Sequence, residues 1–260
     1  MREGPKAMDI HLIPAFADNY IYLLRDPASG AVGVVDPGDA QLVLTELDRR
    51  NWTLTHIFNT HHHSDHIGGN HALKARYGAD VIGPRADVAR IPDMETCLGE
   101  GETISFGSLT AQVFFVPGHT SGHIAFWFPE AKALFCGDTL FALGCGRLFE
   151  GTPAQMWSSL VKLRGLPDDT RVYCGHEYTL SNARFAVTVE PDNAALKARA
   201  ADVAAQRERG EPTIPSTLGV EKATNPFLRA DAPEVQAALG MAGADPVAVF
   251  AEIRGRKDRF

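Results

Sequence analysis

The sequence predicts an α+β protein in which a mixed domain, residues 1–178, precedes a smaller all-helical domain, residues 179–260. Three observations support this prediction. Short runs of β-branched and aromatic residues, bounded by Gly, Pro, Asn and Asp, recur in the first two thirds and are typical of strands. Apolar patterns with helical spacing lie between some of these runs. After about residue 178 the strand patterns stop and segments rich in Ala, Arg, Lys and Glu follow.

The individual elements follow from these patterns in chain order. The predicted strands are Asp9–Ile13, Tyr20–Leu24, Ala31–Val35, Thr55–Asn59, Thr110–Val116, His123–Phe128 and Ala133–Cys136. The helices have characteristic residues at their ends, such as Pro153 at the start of one and Gly78 after another. The predicted helices are Ala40–Arg50, Asn70–Tyr77, Pro153–Leu163, Asn193–Arg209, Pro233–Leu239 and Pro246–Arg254.

Composition and charge exclude several classes of protein. The chain has 260 residues, 45% of them apolar and 22% charged, as in an ordinary globular protein. It has no apolar run of about 18 residues, so we expect no membrane association. Its net charge of −7 argues against a nucleic-acid partner, because phosphate binding needs a basic face.

The N-terminal residues and the cysteines give an expectation about the cellular compartment. The start lacks the apolar core of a signal peptide, and we expect Met1–Ala7 to be an unstructured extension, with Met8 as an alternative start. The four cysteines contain no CxxC pair, which indicates reduced, mostly buried thiols in a cytoplasmic protein.

The strongest motif is the run Thr60-His61-His62-His63-Ser64-Asp65-His66, directly after a predicted strand. His61 and His63 are two residues apart, so an extended backbone projects both imidazoles to one side, toward a single ion. Asp65 and His66 follow where the chain turns toward a helix, and there they can reach a second ion. His62 faces the other way and is not expected to be a ligand.

Three later segments each place a polar residue just beyond an apolar strand and a glycine. These residues are His119, Asp138 and His176, which follow Gly118, Gly137 and Gly175. A glycine there permits an unusual backbone angle and a close approach. Together with the histidine-rich run, the pattern predicts a two-metal site of imidazoles and carboxylates, a donor set that suits Zn, Fe or Mn.

These motifs resemble the metallo-β-lactamase superfamily, whose fold is an αββα sandwich of two sheets flanked by helices. Further segments are similar to one family within it, glyoxalase II or hydroxyacylglutathione hydrolase. These segments are Gly144–Thr152, Cys174–Thr179, Asn225–Arg229 and the ending Arg254–Phe260. The resemblance extends from about Met8 to the last residue. The metal motif is specific only to the superfamily, whereas the helical tail and its basic residues point to the family.

The resemblance implies a ligand set for two divalent ions, which we expect to be Zn2+, with Fe and Mn left open. The first ion is held by His61, His63 and His119, and the second by Asp65, His66 and His176. Asp138 bridges the two ions together with a hydroxide that serves as the nucleophile, so Asp65 and Asp138 are the catalytic carboxylates. Asp36 also matches a superfamily motif, and we interpret it as a structural turn residue.

The resemblance also implies a substrate, a glutathione thioester, chiefly S-D-lactoylglutathione, hydrolysed to glutathione and D-lactate in methylglyoxal degradation. A thiol of pKa about 8.5 can depart without a dedicated acid. The implied glutathione contacts are Arg147, Phe149, Tyr178, Arg254 and Lys257. Some family members have Lys and Tyr where Arg147 and Phe149 stand here, and Phe149 lacks the hydroxyl. We expect a monomer.

Alternatives remain open at this point. A glutathione-persulfide dioxygenase shares the fold with one iron but lacks the long helical tail, and a lactonase would not require the basic C-terminus. A non-enzymatic alternative is a metal-binding interaction module. The basic residues at the C-terminus would also complement a helix dipole without binding any substrate.

Overall fold

The computed structural model describes residues 8–260, and the expected extension Met1–Ala7 lies outside the described residues. The chain forms two compact units. The first unit contains the residues up to Phe115 together with Gly122–Gly137, and the second contains Val116–Ser121 and Asp138–Phe260. The predicted domain division after residue 178 stays a prediction, because compactness and function need not divide a chain at the same residue.

The first sheet of the first unit has six strands in sequential order. They are β1 (Asp9–Ala15), β2 (Asn19–Arg25), β3 (Val32–Val35), β4 (His56–Phe58), β5 (Asp80–Pro84) and β6 (Thr96–Leu98). The strands β1 to β3 pair antiparallel, and β3 to β6 pair parallel. Helices connect the first parallel strands, namely α1 (Ala40–Arg50), the single turn α2 (Ser64–Ile67) and α3 (Asn70–Tyr77).

The ends of these helices follow the sequence signals. Helix α1 begins after Asp39, whose carboxylate accepts hydrogen bonds from the main-chain nitrogens of Gln41 and Leu42. Helix α3 ends at Gly78, which adopts a left-handed φ of 66°. The predicted bounds of both helices are confirmed.

The second sheet of the first unit is an antiparallel meander. Its strands are β7 (Thr103–Phe106), β8 (Leu109–Phe115), β9 (Ile124–Phe128) and β10 (Ala133–Gly137). Phe58 of the first sheet contacts Phe106, Phe126 and Phe128 of the second, with ring centroids 5.7, 5.2 and 6.2 Å apart. The two sheets therefore pack face to face through aromatic side chains.

The helices of the first unit cover the first sheet. Val43 and Leu47 of α1 and Leu73 of α3 are fully buried in one cluster with Val34 and Ile57 of the strands. The apolar residues that helical spacing places on one face are thus removed from water, each worth about 1.5–3 kcal/mol. This packing fixes the carboxyl ends of β3 and β4. Asp36 follows the first of these strands and the histidine-rich segment follows the second.

The second unit is mainly helical. Its elements are the hairpin strands β11 (Leu140–Phe141) and β12 (Gly144–Cys145), then α4 (Pro153–Arg164), β13 (Arg171–Cys174), α5 (Thr179–Val189), α6 (Ala194–Glu208), β14 (Ser216–Thr217), α7 (Leu218–Thr224), α8 (Pro233–Ala238) and α9 (Pro246–Asp258). The predicted helical tail is confirmed, with the addition of the short strand β14, which pairs with β13. Helix α9 continues past Arg254, so Arg254 and Lys257 belong to one helix.

The structure bears on the expectations about the cysteines and about membrane-spanning segments. No disulfide joins the four cysteines, all of which lie in the described part of the chain, and three of them are buried. Among residues 8–260, none of the helices has the length and apolar character needed to cross a membrane.

Candidate metal centre

The histidine-rich segment leaves β4 and enters α2, as the sequence predicts. Nε2 of the buried His61 lies 3.0 Å from Nδ1 of His63. Two ligands of one tetrahedral zinc ion, each at 2.0–2.1 Å, would be separated by about 3.3 Å. The two nitrogens are therefore spaced as neighbouring ligands of a single ion.

His62 points away from this pair. Its Nδ1 lies 3.3 Å from Oδ2 of the buried Asp87, and its Nε2 lies 3.3 Å from Nη1 of Arg90. Arg90 also forms an ion pair with Asp87. These contacts agree with the expectation that His62 is not a ligand, and they anchor the loop between the two candidate ligands.

A hydrogen-bond relay on Asp36 sets the orientation of two imidazoles. Asp36 accepts from the Thr60 nitrogen at 2.8 Å and from the Thr60 hydroxyl at 2.7 Å, and its Oδ2 lies 3.1 Å from His66 Nδ1. The Thr60 hydroxyl lies 3.0 Å from His61 Nδ1. Because an ionised carboxylate only accepts, the protons lie on Nδ1 of His66 and, through Thr60, on Nδ1 of His61. Both Nε2 atoms then carry the lone pair that a metal needs.

Asp36 is thus an orienting residue rather than a ligand. The donor atoms of Asp36, His61 and His66 lie within 4.8 Å of one another, a spacing that one ion could also span. However, both carboxylate oxygens of Asp36 already accept hydrogen bonds from Thr60 and His66. The interpretation of Asp36 as a structural residue therefore fits its contacts.

Asp65 lies beside His66 on α2. Its Oδ2 is 3.4 Å from His66 Nε2 and accepts a hydrogen bond of 2.8 Å from the Asn19 amide. Burial opposes ionisation of Asp65, but a proton on the facing Nε2 of His66 and the Asn19 amide outweigh it and lower the pKa of this carboxyl below its usual value. When Nε2 of His66 carries the lone pair instead, the hydrogen bond from the Asn19 amide still favours the anion. Asp65 is consequently an anion at neutral pH, as a metal ligand must be.

Asn19 and His123 are contributors that the sequence reasoning did not identify. His123 is fully buried, and its ring stacks on that of His61 with centroids 4.6 Å apart. Neither residue belongs to a recognisable motif, because Asn19 lies at the start of β2 and His123 directly before β9, both far from the histidine-rich run in the chain.

The second unit holds the other three candidate ligands. Oδ2 of Asp138 lies 3.4 Å from Nε2 of His119 and 3.2 Å from Nε2 of His176. His119 Nδ1 lies 2.8 Å from the main-chain oxygen of Arg147. Because that oxygen can only accept, the proton of the His119 ring lies on Nδ1, and the unprotonated Nε2 faces Asp138. One carboxylate oxygen is therefore shared by two imidazoles, as expected of a bridging ligand.

The glycines before His119 and Asp138 have the unusual backbone angles that the pattern predicts. Gly118 has a φ of 150°, and a Cβ there would lie 2.8 Å from Cβ of Met156. Gly137 has a φ of 45°, and a Cβ there would lie 2.2 Å from the Thr60 hydroxyl. A larger residue at either position would displace the candidate ligand that follows it.

The chemistry of these donors fits divalent metal ions. The five imidazoles and two carboxylates are described above, and the nearby cysteines contribute no thiolate. Burial raises the pKa of Cys174 to about 12 and that of Cys145 to about 11, so both are protonated at neutral pH. Such nitrogen and oxygen donors suit Zn, Fe or Mn.

The residues expected to contact glutathione divide into exposed and buried side chains. Tyr178 stacks on His176 at 4.8 Å with an interplanar angle of 3°. Phe149 is 63% exposed, and its ring lies 5.2 Å from that of His119. Arg147 is also exposed. The Tyr178 and Phe149 rings therefore border the candidate ligands of the second unit, and Arg147 contacts His119 through its main-chain oxygen.

The two basic residues of α9 have different surroundings. Arg254 is only 4% exposed, and its guanidinium donates to the Cys145 oxygen at 2.9 Å and pairs with Asp258. Lys257 is half-buried and donates to the Ser181 oxygen at 3.2 Å. Burial, reinforced by the charges of Arg254 and Arg147, lowers the pKa of Lys257 to about 8.

Comparison with known proteins agrees with the fold. Residues 16–176 match the family model for the metallo-beta-lactamase superfamily. The crystal structure of ETHE1 from Myxococcus xanthus is similar, with a TM-score of 0.69 and 26% identity over 95% of this chain and 90% of that one. TTHA1623, solved in a di-iron-bound form, is 28% identical with a TM-score of 0.59, covering 83% of this chain and 98% of that one. The first two thirds thus define a metallo-β-lactamase-fold protein, which confirms the predicted αββα class.

The remainder of the chain specifies the family. Residues 177–260 match the model for the hydroxyacylglutathione hydrolase C-terminus. A hydroxyacylglutathione hydrolase of Methylococcus capsulatus is 57% identical over 97% of this chain and 99% of its own length. One from Rhodospirillum rubrum is 54% identical over the same shares. The chain belongs to the hydroxyacylglutathione hydrolase family.

Proposed function

We propose that this protein hydrolyses the thioester of S-(2-hydroxyacyl)glutathione, chiefly S-D-lactoylglutathione, to glutathione and D-lactate, a step of methylglyoxal degradation. The observation that carries the proposal is the presence of both parts of the family in one chain, the metallo-β-lactamase part over 16–176 and the hydroxyacylglutathione hydrolase C-terminus over 177–260. The second part distinguishes this function from that of a lactonase or a persulfide dioxygenase.

The proposed ligands of one ion are His61, His63 and His119, and those of the other are Asp65, His66 and His176, with Asp138 between them. We propose Zn2+ as the metal. Such ions supply hydroxide at neutral pH and polarise a carbonyl oxygen. Within each unit, the candidate donor atoms lie 3.0–3.4 Å apart, as ligands of shared ions would.

The chain's own contribution to the reaction is to hold these donors in one protonation state. Asp36 and Thr60 keep the protons of His61 and His66 on Nδ1, and the Arg147 oxygen does so for His119. Asp65 accepts a hydrogen bond from the Asn19 amide, which favours its ionised form. These four donors therefore need not rearrange or lose a proton during turnover, which is the preorganisation that electrostatic catalysis requires.

The proposed glutathione contacts are Arg147, Phe149, Tyr178 and Lys257. Lys257 is the candidate partner for a glutathione carboxylate, because it is only half-buried and its ammonium donates to the neutral oxygens of Ser181. Arg254 does not bind substrate directly in this proposal, because its buried guanidinium is already bonded to Cys145 and Asp258. It supports the segment that contains Cys145 and adds positive charge beside Lys257.

The remaining parts of the proposal concern organisation. Residues 1–178 form the catalytic domain and 179–260 the helical substrate-binding domain. The protein acts as a monomer in the cytoplasm on a small-molecule substrate.

The test is hydrolysis of S-D-lactoylglutathione by the zinc-loaded protein, followed as release of free thiol. We expect turnover without oxygen consumption, whereas a persulfide dioxygenase would consume oxygen and a lactonase would open a lactone instead. Lys257→Ala should raise KM about tenfold or more, since a charged contact is worth about 1.5–3 kcal/mol.

A matched control is available for that variant. Lys222 is also a partly buried lysine of the helical tail, and it also donates to a main-chain oxygen, that of Leu166. Lys222→Ala should leave KM unchanged. Absence of thiol release by the metal-loaded parent would refute the proposed function.

A further inference from the structure

The hairpin Leu140–Cys145, formed by β11 and β12, adjoins all three candidate ligands of the second unit. It begins two residues after Asp138. The Phe141 ring packs edge-on against His176 at 5.9 Å. Just after the hairpin, the Arg147 oxygen binds His119 Nδ1. The conformation of the hairpin therefore affects the positions of the His119, Asp138 and His176 side chains.

Side chains of the helical tail bind the main chain of this hairpin at five consecutive residues. Asn225 donates to the oxygens of Phe141 and Gly144 at 3.1 and 3.0 Å. The other bonds are Asn182 Nδ2 to the Ala142 oxygen at 3.0 Å, the Leu143 nitrogen to Glu221 Oε2 at 2.9 Å and Arg254 Nη1 to the Cys145 oxygen at 2.9 Å. We call Asn182, Glu221, Asn225 and Arg254 the clamp.

The clamp consists of buried polar side chains, two of which, Asn225 and Glu221, are bonded to each other. Its four side chains are at most 5% exposed. The Glu221 carboxylate is also bonded to Arg199 and to the Ser216 hydroxyl, and it accepts from Asn225 at 3.1 Å. Burying a charged network costs desolvation energy that apolar packing would avoid, so its use here indicates a need for a defined geometry.

The hairpin also has a conformation that requires support. Leu143 has a φ of 57°, in the left-handed region that side chains other than Gly, Asn and Asp rarely adopt. Its nitrogen is the one bound by Glu221. Gly144 packs so closely that a Cβ would lie 2.4 Å from the Asn182 amide nitrogen. The hairpin is thus held in a strained form by residues 182–254.

We infer that the clamp is a positioning device for the metal centre, through which the C-terminal helices control metal affinity in addition to binding substrate. The inference rests on the proposed function, because it assumes that His119, Asp138 and His176 are metal ligands. Each clamp residue acts through the hairpin and touches none of the reacting atoms. Residues that support ligands in this way commonly change metal affinity 10–100-fold when they are replaced.

The test compares two clamp variants with a matched control in the full-length protein. Asn225→Ala removes two bonds to the hairpin, and Asn182→Ala removes one. Gln236→Ala removes a buried amide of the same helical tail, whose bonds go to Ala230, Gly243 and Ala244 and not to the hairpin. The measurements are Zn2+ affinity by competition with a chromophoric chelator, the visible spectrum of the Co2+-loaded protein and the thermal midpoint.

We expect Asn225→Ala to lower Zn2+ affinity at least about tenfold and to alter the Co2+ spectrum, with Asn182→Ala in the same direction and smaller. Gln236→Ala should lower the thermal midpoint and leave affinity and spectrum unchanged. Parent-like affinity and spectrum in both clamp variants would overturn the inference, leaving the clamp a structural element only. If Asn225→Ala does not fold, Asn182→Ala decides.

The outcome is distinguishable from failure of the proposed function. If the parent itself binds no Zn2+ or releases no thiol from S-D-lactoylglutathione, the proposed function fails. If the parent does both and the clamp variants raise only KM, the tail serves substrate binding alone and the inference fails.

Discussion

Replacing Asp36 with Asn tests whether proton placement on the ligand histidines is set by one buried carboxylate. Asp36 is 3% exposed and has a left-handed φ of 50°, which Asn tolerates as well as Asp. The substitution keeps the volume, the turn and an oxygen for the Thr60 nitrogen. It replaces Oδ2, the acceptor for the Thr60 hydroxyl and His66 Nδ1, by an NH2 donor.

The new donor faces His66 Nδ1, so the favoured tautomer of His66 moves its proton to Nε2. The Thr60 hydroxyl now accepts from the amide and turns its own proton toward His61 Nδ1, which shifts His61 in the same way. Restoring either metal-binding tautomer sacrifices a buried hydrogen bond, at about 1–3 kcal/mol each. We therefore expect Zn2+ affinity to fall about 10–100-fold, in line with other outer-shell carboxylates.

The assay is competition for Zn2+ against a chromophoric chelator, with kcat/KM measured at saturating metal. Asp26→Asn is the matched control, because Asp26 is also buried and accepts from the Ser29 hydroxyl and the nitrogens of Ala28 and Ser108, all in turns. That variant should lose stability and keep parent-like affinity. Retention of both ions with parent affinity by Asp36→Asn would refute the tautomer argument.

Three further predictions follow from the charges of the structure. Asp138→Asn should lose at least one metal ion by elemental analysis, and kcat/KM should fall at least about 100-fold, because several kcal/mol of metal-assisted catalysis are removed; a variant with both ions and normal turnover would exclude the bridging role. The pKa of Lys257 is lowered to about 8, so its charge and the kcat/KM for a glutathione thioester should decline as pH rises through 8, whereas Lys257→Arg should stay flat in that range. The hydrogen bonds that Asp26 accepts from Ser29 and Ser108 outweigh burial and lower its pKa to about 2. Its contribution to stability is therefore present above pH 4 and lost as pH falls toward 2. Denaturant unfolding of Asp26→Asn across this range should lack that part of the pH dependence.

Several features of the fold were predictable because they depend on neighbouring residues. Helix α1 has the predicted bounds, since Asp39 caps it and its apolar residues have helical spacing. The spacing of His61 and His63 likewise sufficed to predict that both imidazoles face one point. The strands β5 and β6 were missed, because they contain only five and three residues and pair parallel with partners distant in the chain.

The sequence by itself determined the types of residue available for chemistry, namely imidazoles and carboxylates placed just after strands, and a basic helix at the C-terminus. These are local properties, and family resemblance extended them to a function. Only the tertiary structure decided which side chains orient the donors, since Asp36, Asn19 and the clamp approach from elements far away in the chain. It also decided that Arg254 and Lys257, which lie on adjacent turns of one helix, have different roles. Arg254 is buried and bonded to the hairpin, whereas Lys257 is only half-buried.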